Sequence, residues 1–373
     1  NNPPDRRGKT FKGAPVMAGP SGLTPQGDVL YENMGGGRFR DATTQRGCVP
    51  ETPGYGLGVR IFDFDRDGKP DIFVGNDSTE NFLFHNLGAG RFEEVGMIAG
   101  VAANYDGHTQ ATMGVAIGDV DGNGYPDLFS TNFSSDTNTL HLNLGDGFFD
   151  DRTSQYGLAM MSMPFLSWGT GLYDFDCDGD EDLFIASGHV YPEAAGHSID
   201  SDYEQVPLLL DRRGKRFHRA NNAGDMFQKR FSARSTAFGD LDGDGDVDIV
   251  MTTLNGCVRV FRNDTPLTNR AVVELIGPAG NRHGYGAMVE LTTPSGTQRR
   301  WILGGGSFQS VDAPIAYFGL GFATESKLGK LSLRVTWPDG KITETTDVPV
   351  NHRIRIGQSG EKPSYRKLSG RSR

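Results

Sequence analysis

Asp63-Phe64-Asp65-Arg66-Asp67-Gly68-Lys69-Pro70-Asp71, continuing into Ile72-Phe73-Val74, is the stretch on which the fold turns. Asp stands at positions 1, 3, 5 and 9 and Gly at position 6, and the residues that follow are those of a buried strand. The pattern returns at Asp119 (DVDGNGYPDLFS), Asp174 (DFDCDGDEDLFI) and Asp240 (DLDGDGDVDIVM), with starts 56, 55 and 66 residues apart. A period of this size, punctuated by turn residues, predicts a propeller or a solenoid.

A second element recurs in phase. Asn86 to Phe92 (NLGAGRF), Asn143 to Phe149 (NLGDGFF) and Asn33 to Phe39 (NMGGGRF) share one pattern, and Asp211 to Phe217 reads as a degenerate copy. Glycines in such a run supply the positive φ of a tight hairpin, and the Phe returns to a buried face. Each unit therefore reads as four strands; in the first full unit they span residues 57–62, 71–75, 82–86 and 91–95. The 52 glycines and 19 prolines among 373 residues exceed the roughly 12% that the two usually make together. No long helical period interrupts them. The expectation is an all-β chain: a β-propeller of four-stranded blades over 1–265, a small β domain over 266–357, and a disordered polar tail over 358–373. The hairpin at 29–33 and 38–41 has no acidic loop before it, and the last unit stops after 258–263. Both features read as parts of blades completed elsewhere, the first upstream of Asn1.

The acidic spacing has a chemical reason. In a tight loop, alternate residues point inward, so positions 1, 3 and 5 converge on one cation, position 7 offers its carbonyl, and position 9 a carboxylate. The ligand set so read is Asp63, Asp65, Asp67, Lys69 and Asp71; Asp119, Asp121, Asn123, Tyr125 and Asp127; Asp174, Asp176, Asp178, Asp180 and Asp182; and Asp240, Asp242, Asp244, Asp246 and Asp248. Hard oxygens in this number suit calcium, and magnesium keeps too much of its water to compete. About four Ca²⁺ sites are expected. An EF-hand is excluded, because position 12 is Val74, Ser130, Ile185 or Met251 rather than Glu. Four such ions would move the net charge from −10 to about −2. At a Kd of about 10⁻⁴ M and about 2 mM calcium, each site contributes about 1.8 kcal/mol. That places the loops where calcium is plentiful: secreted, periplasmic or on the cell surface.

The acidic balance argues against a nucleic-acid partner. No apolar run is long enough for a transmembrane helix. Cys48, Cys177 and Cys257 lie far apart and suggest neither a disulfide framework nor a zinc site. Gly54 to Gly58 is not followed by a helix pattern and is no nucleotide loop.

At these residues the chain resembles known families. The acidic loops resemble calcium-binding FG-GAP/VCBS repeats. The C-terminal stretch is similar to the ASPIC/UnbV domain at Asn281-Arg282, Gly286-Ala287, Gly305 to Gln309, Phe318 to Gly321 and Trp337 to Gly340. The order of motifs resembles the cartilage-acidic-protein-1-like family, to which Phe11-Lys12-Gly13 and Gly188 to Pro192 also fit. The resemblance implies a secreted or envelope-associated calcium-binding protein discussed in terms of adhesion, and a closed ring of seven blades when complete. Ala18 stands where that pattern has Cys.

The third spacing is longer, and the excess falls within 187–206, which carries His189, Tyr191, Glu193, His197 and Tyr203. His189, Tyr191 and Glu193 are candidate ligand contacts on a propeller loop. The leading reading is a binding or adhesion module for a protein or glycan. The alternative is an enzyme, a hydrolase or natural-product cyclase, with His189 or Glu193 as acid/base in a pocket near the insertion; no catalytic residue is assigned.

Overall fold

The computed structural model describes residues 7–20, 22–196, 202–220, 223–266, 268–322, 324 and 328–369; His197 lies outside them. An N-terminal hairpin, β1 (Arg7–Phe11) and β2 (Ala14–Met17), precedes a second one, β3 (Tyr31–Asn33) and β4 (Phe39–Asp41), closed by the helical turn α1 (Thr43–Arg46). Four sheets then follow. Blade 1 is β5 (Gly56–Phe62), β6 (Asp71–Asn76), β7 (Phe82–Gly88) and β8 (Arg91–Glu94), and α2 (Gly96–Ala99) leads out of it. Blade 2 is β9 (Val115–Gly118), β10 (Asp127–Ser130), β11 (Thr139–Asn143) and β12 (Phe149–Asp151), followed by α3 (Ala159–Ser162). Blade 3 is β13 (Ser167–Tyr173), β14 (Asp182–Ser187), β15 (Leu208–Arg213) and β16 (Arg216–Arg219). Blade 4 has three strands: β17 (Ala233–Gly239), β18 (Asp248–Thr253) and β19 (Arg259–Phe261). Within each blade every strand pairs antiparallel with its sequence neighbour. The four-stranded unit read from the sequence is borne out, and the acidic loop joins the first strand to the second in all four blades.

One register differs from expectation. The residue that answers Asn86, Asn143 and Asn263 in blade 3 is Arg212, not Asp211: Phe217 pairs with Arg212 as Phe92 pairs with Asn86 and Phe149 with Asn143. The third hairpin is one residue shorter, which the Asp-to-Phe interval concealed.

Apolar clusters bind blade to blade. Phe62, Phe64, Phe73 and Leu83 meet Val115, Leu128 and Phe149 between blades 1 and 2. Val120, Phe129 and Leu140 meet Leu172, Leu183, Leu210 and Phe217 between blades 2 and 3. First strands press together closely enough to demand glycine: a Cβ on Gly169 would lie 2.8 Å from both Arg234 O and Thr236 N.

The C-terminal domain is a sandwich of two sheets. One has the order β23-β20-β26-β27, from β20 (Asn269–Ile276), β23 (Ile315–Gly321), β26 (His352–Gly357) and β27 (Ser364–Lys367). The other has the order β22-β21-β24-β25, from β21 (Met288–Thr293), β22 (Gly296–Trp301), β24 (Leu331–Thr336) and β25 (Ile342–Val348). Val273, Val289, Leu333, Trp337 and Ile354 fill the space between them. The tail expected to be disordered carries β27, which pairs with β26 through Ile354–Tyr365 and its neighbours. The polar composition of that stretch hid an edge strand that needs no buried face.

The connection from β22 to β23 reaches across the first strands of the blades. Ser307 Oγ accepts the Thr170 N–H and lies 2.9 Å from Thr236 Oγ1, while Ser307 O accepts from Val115 N–H at 3.4 Å and from Arg60 Nη2 at 3.2 Å. All four blades thus bear on one residue of the C-terminal domain.

Gly169→Ala is expected to lower stability by about 1–3 kcal/mol, because backbone rather than a movable side chain blocks the new methyl. Chemical denaturation of the two proteins side by side checks it; equal midpoints would contradict the close approach of β13 to β17.

Candidate metal centres

Each acidic loop is built by aspartates that cap the loop's own amides. In loop 1 Asp63 accepts the N–H groups of Asp67 and Gly68 at 3.0 and 2.9 Å, Asp65 accepts Asp67 N–H at 3.1 Å, and Asp67 accepts Lys69 N–H at 2.9 Å. Loop 3 repeats this with Asp174, Asp176 and Asp178. Two positions turn left-handed. Position 6 is Gly in all four loops, as the sequence suggests; position 4 is Arg66 (φ 61°), Gly122 (φ 75°), Cys177 (φ 60°) and Gly243 (φ 84°). Glycine at position 4 of two loops was the visible signal for the second bend.

Carboxylates at positions 1, 3 and 9 converge in every loop. Oxygens of Asp63, Asp65 and Asp71, of Asp119, Asp121 and Asp127, of Asp174, Asp176 and Asp182, and of Asp240, Asp242 and Asp248 each lie within 4.8 Å of one another. Position 5 does not join these groups. Asp67 instead groups with Asp65 and His85, whose Nε2 is 3.1 Å from Asp65 Oδ2. The Asn123 amide turns to the Asn143 carbonyl at 2.6 Å. Asp244 stands 3.8 Å from the buried Arg270, and Asp246 stands 3.1 Å from it. At the remaining position-7 residues, Lys69 pairs with Asp67, Tyr125 lies under Arg66 with Cζ 5.4 Å from the ring centroid, and Asp180 pairs with Arg212 at 2.6 Å.

Position 9 carries a second duty that the spacing did not disclose. One oxygen of Asp71, Asp127, Asp182 and Asp248 accepts the N–H of Phe64, Val120, Phe175 and Leu241, at 2.7–3.0 Å. The other accepts the N–H of Asn86, Asn143 and Arg212 on the third strand, and of Asn263 just past it, at 2.7–2.9 Å. These side chains are buried. Each one ties the loop to the sheet.

Burial raises the affinity of these groups for protons. Desolvation pushes Asp71 up to about 7 and Asp182 up to about 9, holds Asp127 well above the ordinary carboxylate range, and takes Asp63 and Asp176 to about 6. Neighbouring carboxylates add to that push in each group. A crowd of hard oxygens whose charged form is disfavoured without a counter-charge fits a divalent cation.

The C-terminal domain meets three of the four loops at position 1. Arg299 Nη1 is 3.6 Å from Asp119 Oδ2, the Gly319 N–H donates to Asp174 Oδ2 at 3.0 Å, and Arg353 Nη2 donates to Asp240 Oδ2 at 2.8 Å. Only a glycine serves at the second point, since a Cβ on Gly319 would lie 2.1 Å from Asp174 Oδ2. Glu181, at position 8 of loop 3, is buried; it accepts Asp119 N–H at 2.8 Å and faces Arg300 Nε at 3.4 Å. Sequence reading missed it, although the other loops carry Pro70, Pro126 and Val247 there.

The candidates on the insertion part company. His189 is fully buried, with Nδ1 accepting Tyr191 N–H at 3.1 Å and Nε2 3.2 Å from Ser134 Oγ, among the rings of Phe11, Phe133 and Tyr191. Glu193 is exposed.

Comparison with known proteins agrees with this anatomy. Residues 16–74, 63–130 and 119–185 match the family described as FG-GAP-like repeat, and 277–363 match ASPIC and UnbV. The fourth loop lies outside those matches yet repeats their geometry. Human cartilage acidic protein 1 is 28% identical over 311 residues, covering 82% of this chain and 44% of that protein. The Xenopus tropicalis protein of that name is 29% identical over 300 residues, 77% of this chain and 42% of its own. The chain thus spans less than half the length of the curated relatives it matches. Among solved structures, an Agrocybe aegerita lectin that recognises non-reducing terminal N-acetylglucosamine is 18% identical, with a TM-score of 0.33 over 64% of this chain and 60% of that one.

Two outcomes are expected. Asp127→Ala leaves two amides unpaired and should cost about 2–4 kcal/mol in chelator and more in calcium, where a ligand is lost as well, whereas Asp121→Asn, at an exposed position, should lower only the calcium-dependent part; melts in calcium and in chelator separate them. In chelator, stability should fall as pH rises from about 5 to 8. Folded carboxyls with raised pKa keep protons that the unfolded chain releases near its ordinary pKa of about 4, so each further rise in pH favours unfolding until the folded value is passed. With saturating calcium the slope should flatten or reverse, because the ion replaces those protons; melts at pH 5.5 and 8 in both conditions check the sign.

Proposed function

Because the chain carries FG-GAP-like repeats that lead into an ASPIC/UnbV domain, we propose that it is an extracytoplasmic binding or adhesion module whose blades are held rigid by calcium. The observation that carries this reading is the convergence of carboxylates at positions 1, 3 and 9 in all four loops. Positions 1, 3 and 9 of each loop would hold the ion. It would supply charge compensation and rigidity, not chemistry on a substrate.

Rigidity is what a recognition surface needs. Ordering a mobile loop on binding costs affinity, and a loop already locked by its own metal does not incur that cost. Calcium near 2 mM would keep loops of roughly 10⁻⁴ M affinity filled, whereas cytosolic levels would leave them empty. Secretion, a periplasmic location or surface display supplies that condition, and the similarity to cartilage acidic protein 1 supports the same setting. No helix among the described residues is long and apolar enough to cross a membrane. The ligand class is protein or glycan.

The reading is tested by immobilising the chain and presenting extracellular-matrix proteins and a glycan array in calcium and in chelator. Saturable binding that disappears with chelator and returns with calcium is expected. Binding indifferent to calcium, or none to either class, would contradict it.

A further inference from the structure

In each blade one residue stands just before the one whose N–H the position-9 aspartate holds. It is His85 in blade 1, Leu142 in blade 2, Asp211 in blade 3 and Arg262 in blade 4. His85 reaches Asp65 of its own loop. Asp211 lies close enough to add its charge to that of Asp176, Asp178 and Asp182. Arg262, bonded to Asp264, still lies within electrostatic reach of Asp242 and Asp248. Leu142 is buried and brings no charge. The fold thus presents this register position to the loops, and only in blade 1 does it carry a metal-binding nitrogen.

The geometry there is specific. Asp65, Asp67 and His85 each offer one ligand atom, and the three atoms lie within 4.8 Å of one another. His85 Nε2 is 3.1 Å from Asp65 Oδ2 and 3.9 Å from Asp67 Oδ2. Two ligands of a tetrahedral zinc ion, each about 2.1 Å from it, stand about 3.4 Å apart. The two separations bracket that value. The nitrogen is itself buried and has no hydrogen-bond partner, because the Asp65 oxygen is near it without meeting it in hydrogen-bond geometry. A buried polar atom of this kind calls for a partner, and two carboxylates converge on it. Phe64 meets the imidazole edge-on, with ring centroids 5.5 Å apart and planes at 80°, and fixes its orientation. The three side chains are 22–28% exposed, which leaves an ion a way in.

The geometry points to a second metal position in loop 1, where Asp65, Asp67 and His85 bind a transition-metal ion, zinc foremost. Calcium selects oxygen and gains little from an imidazole, whereas imidazole beside carboxylate suits zinc and its neighbours. Position 5, which stands outside the converging trio of positions 1, 3 and 9, thereby acquires a role in this loop. Asp65 belongs to both groups, as a carboxylate with an oxygen for each ion. Lys69 pairs with Asp67, but its side chain is 42% exposed, and an exposed pair is weak enough to yield to a divalent ion. Three protein ligands leave zinc one position for water. Loops 2, 3 and 4 lack the imidazole, so the expected count is one zinc ion per chain. This inference goes beyond the calcium reading and does not depend on it.

The test counts zinc bound by the whole untagged chain in about 2 mM calcium, by equilibrium dialysis and titration calorimetry. One equivalent is expected to bind tightly. His85→Gln and Asp67→Asn should each weaken it at least about tenfold, since even an outer partner of a zinc ligand is worth about 10–100-fold. His85→Gln should keep a melt that calcium raises, which shows that the variant folds. An absent equivalent, or one that survives His85→Gln, would overturn the proposal. Zinc displaced by calcium would also overturn it, by placing zinc in the calcium ligand set. So would a His85→Gln chain that loses zinc and its calcium response together, which would make the imidazole part of the calcium site. A parent chain that binds one zinc ion while its melt ignores calcium would contradict the calcium reading and leave this one standing.

Discussion

A buried aspartate that cannot be given up governs this fold. Asp71, Asp127, Asp182 and Asp248 each join the amide at position 2 of their loop to an amide on the third strand or, for Asp248, just past it. They fix where the loop begins, where the strand after it lies, and which residue the fourth strand meets. Because both oxygens already serve the backbone, the group must sit deep, and depth disfavours its charge. Two more carboxylates close by at positions 1 and 3 deepen the difficulty. The fold places a cluster of like charges at every blade and needs positive charge to balance it.

Part of that balance comes from within. Arg299, Arg353 and the Gly319 amide reach position 1 of loops 2, 4 and 3, and the buried Arg270 lies between Asp244 and Asp246. Loop 1 receives no such contact from the C-terminal domain among the described residues and has His85 beside Asp65 instead. The domain therefore holds the outer oxygens of three loops and touches all four blades through Ser307. Two glycines of the ASPIC/UnbV domain acquire a physical reason: a Cβ on Gly319 would lie 2.5 Å from the Cys177 backbone, and one on Gly306 2.9 Å from Ser310 O.

Much of this was legible in the chain. Loop spacing gave the blades, the Asn-to-Phe interval gave the outer hairpins, and the absence of Glu at position 12 removed the helical alternative. What stayed hidden has a common cause. The clamp role of position 9, the partner of Glu181 and the seat of Arg299 all depend on residues 15 to more than 100 positions away, and spacing within one loop carries no such information. Position 5 looked equivalent to positions 1 and 3 because side-chain alternation makes it so; Arg270, far along the chain, draws Asp244 aside. Nor did the sequence disclose that His189 lies fully buried among aromatic rings.

The most direct test of the account is the thermal unfolding of the intact chain at pH 7.5 in chelator, in 2 mM calcium and in 2 mM magnesium. If converging carboxylates hold calcium, the midpoint rises by roughly 5–15 °C in calcium and much less in magnesium. Midpoints that coincide in all three conditions would contradict it.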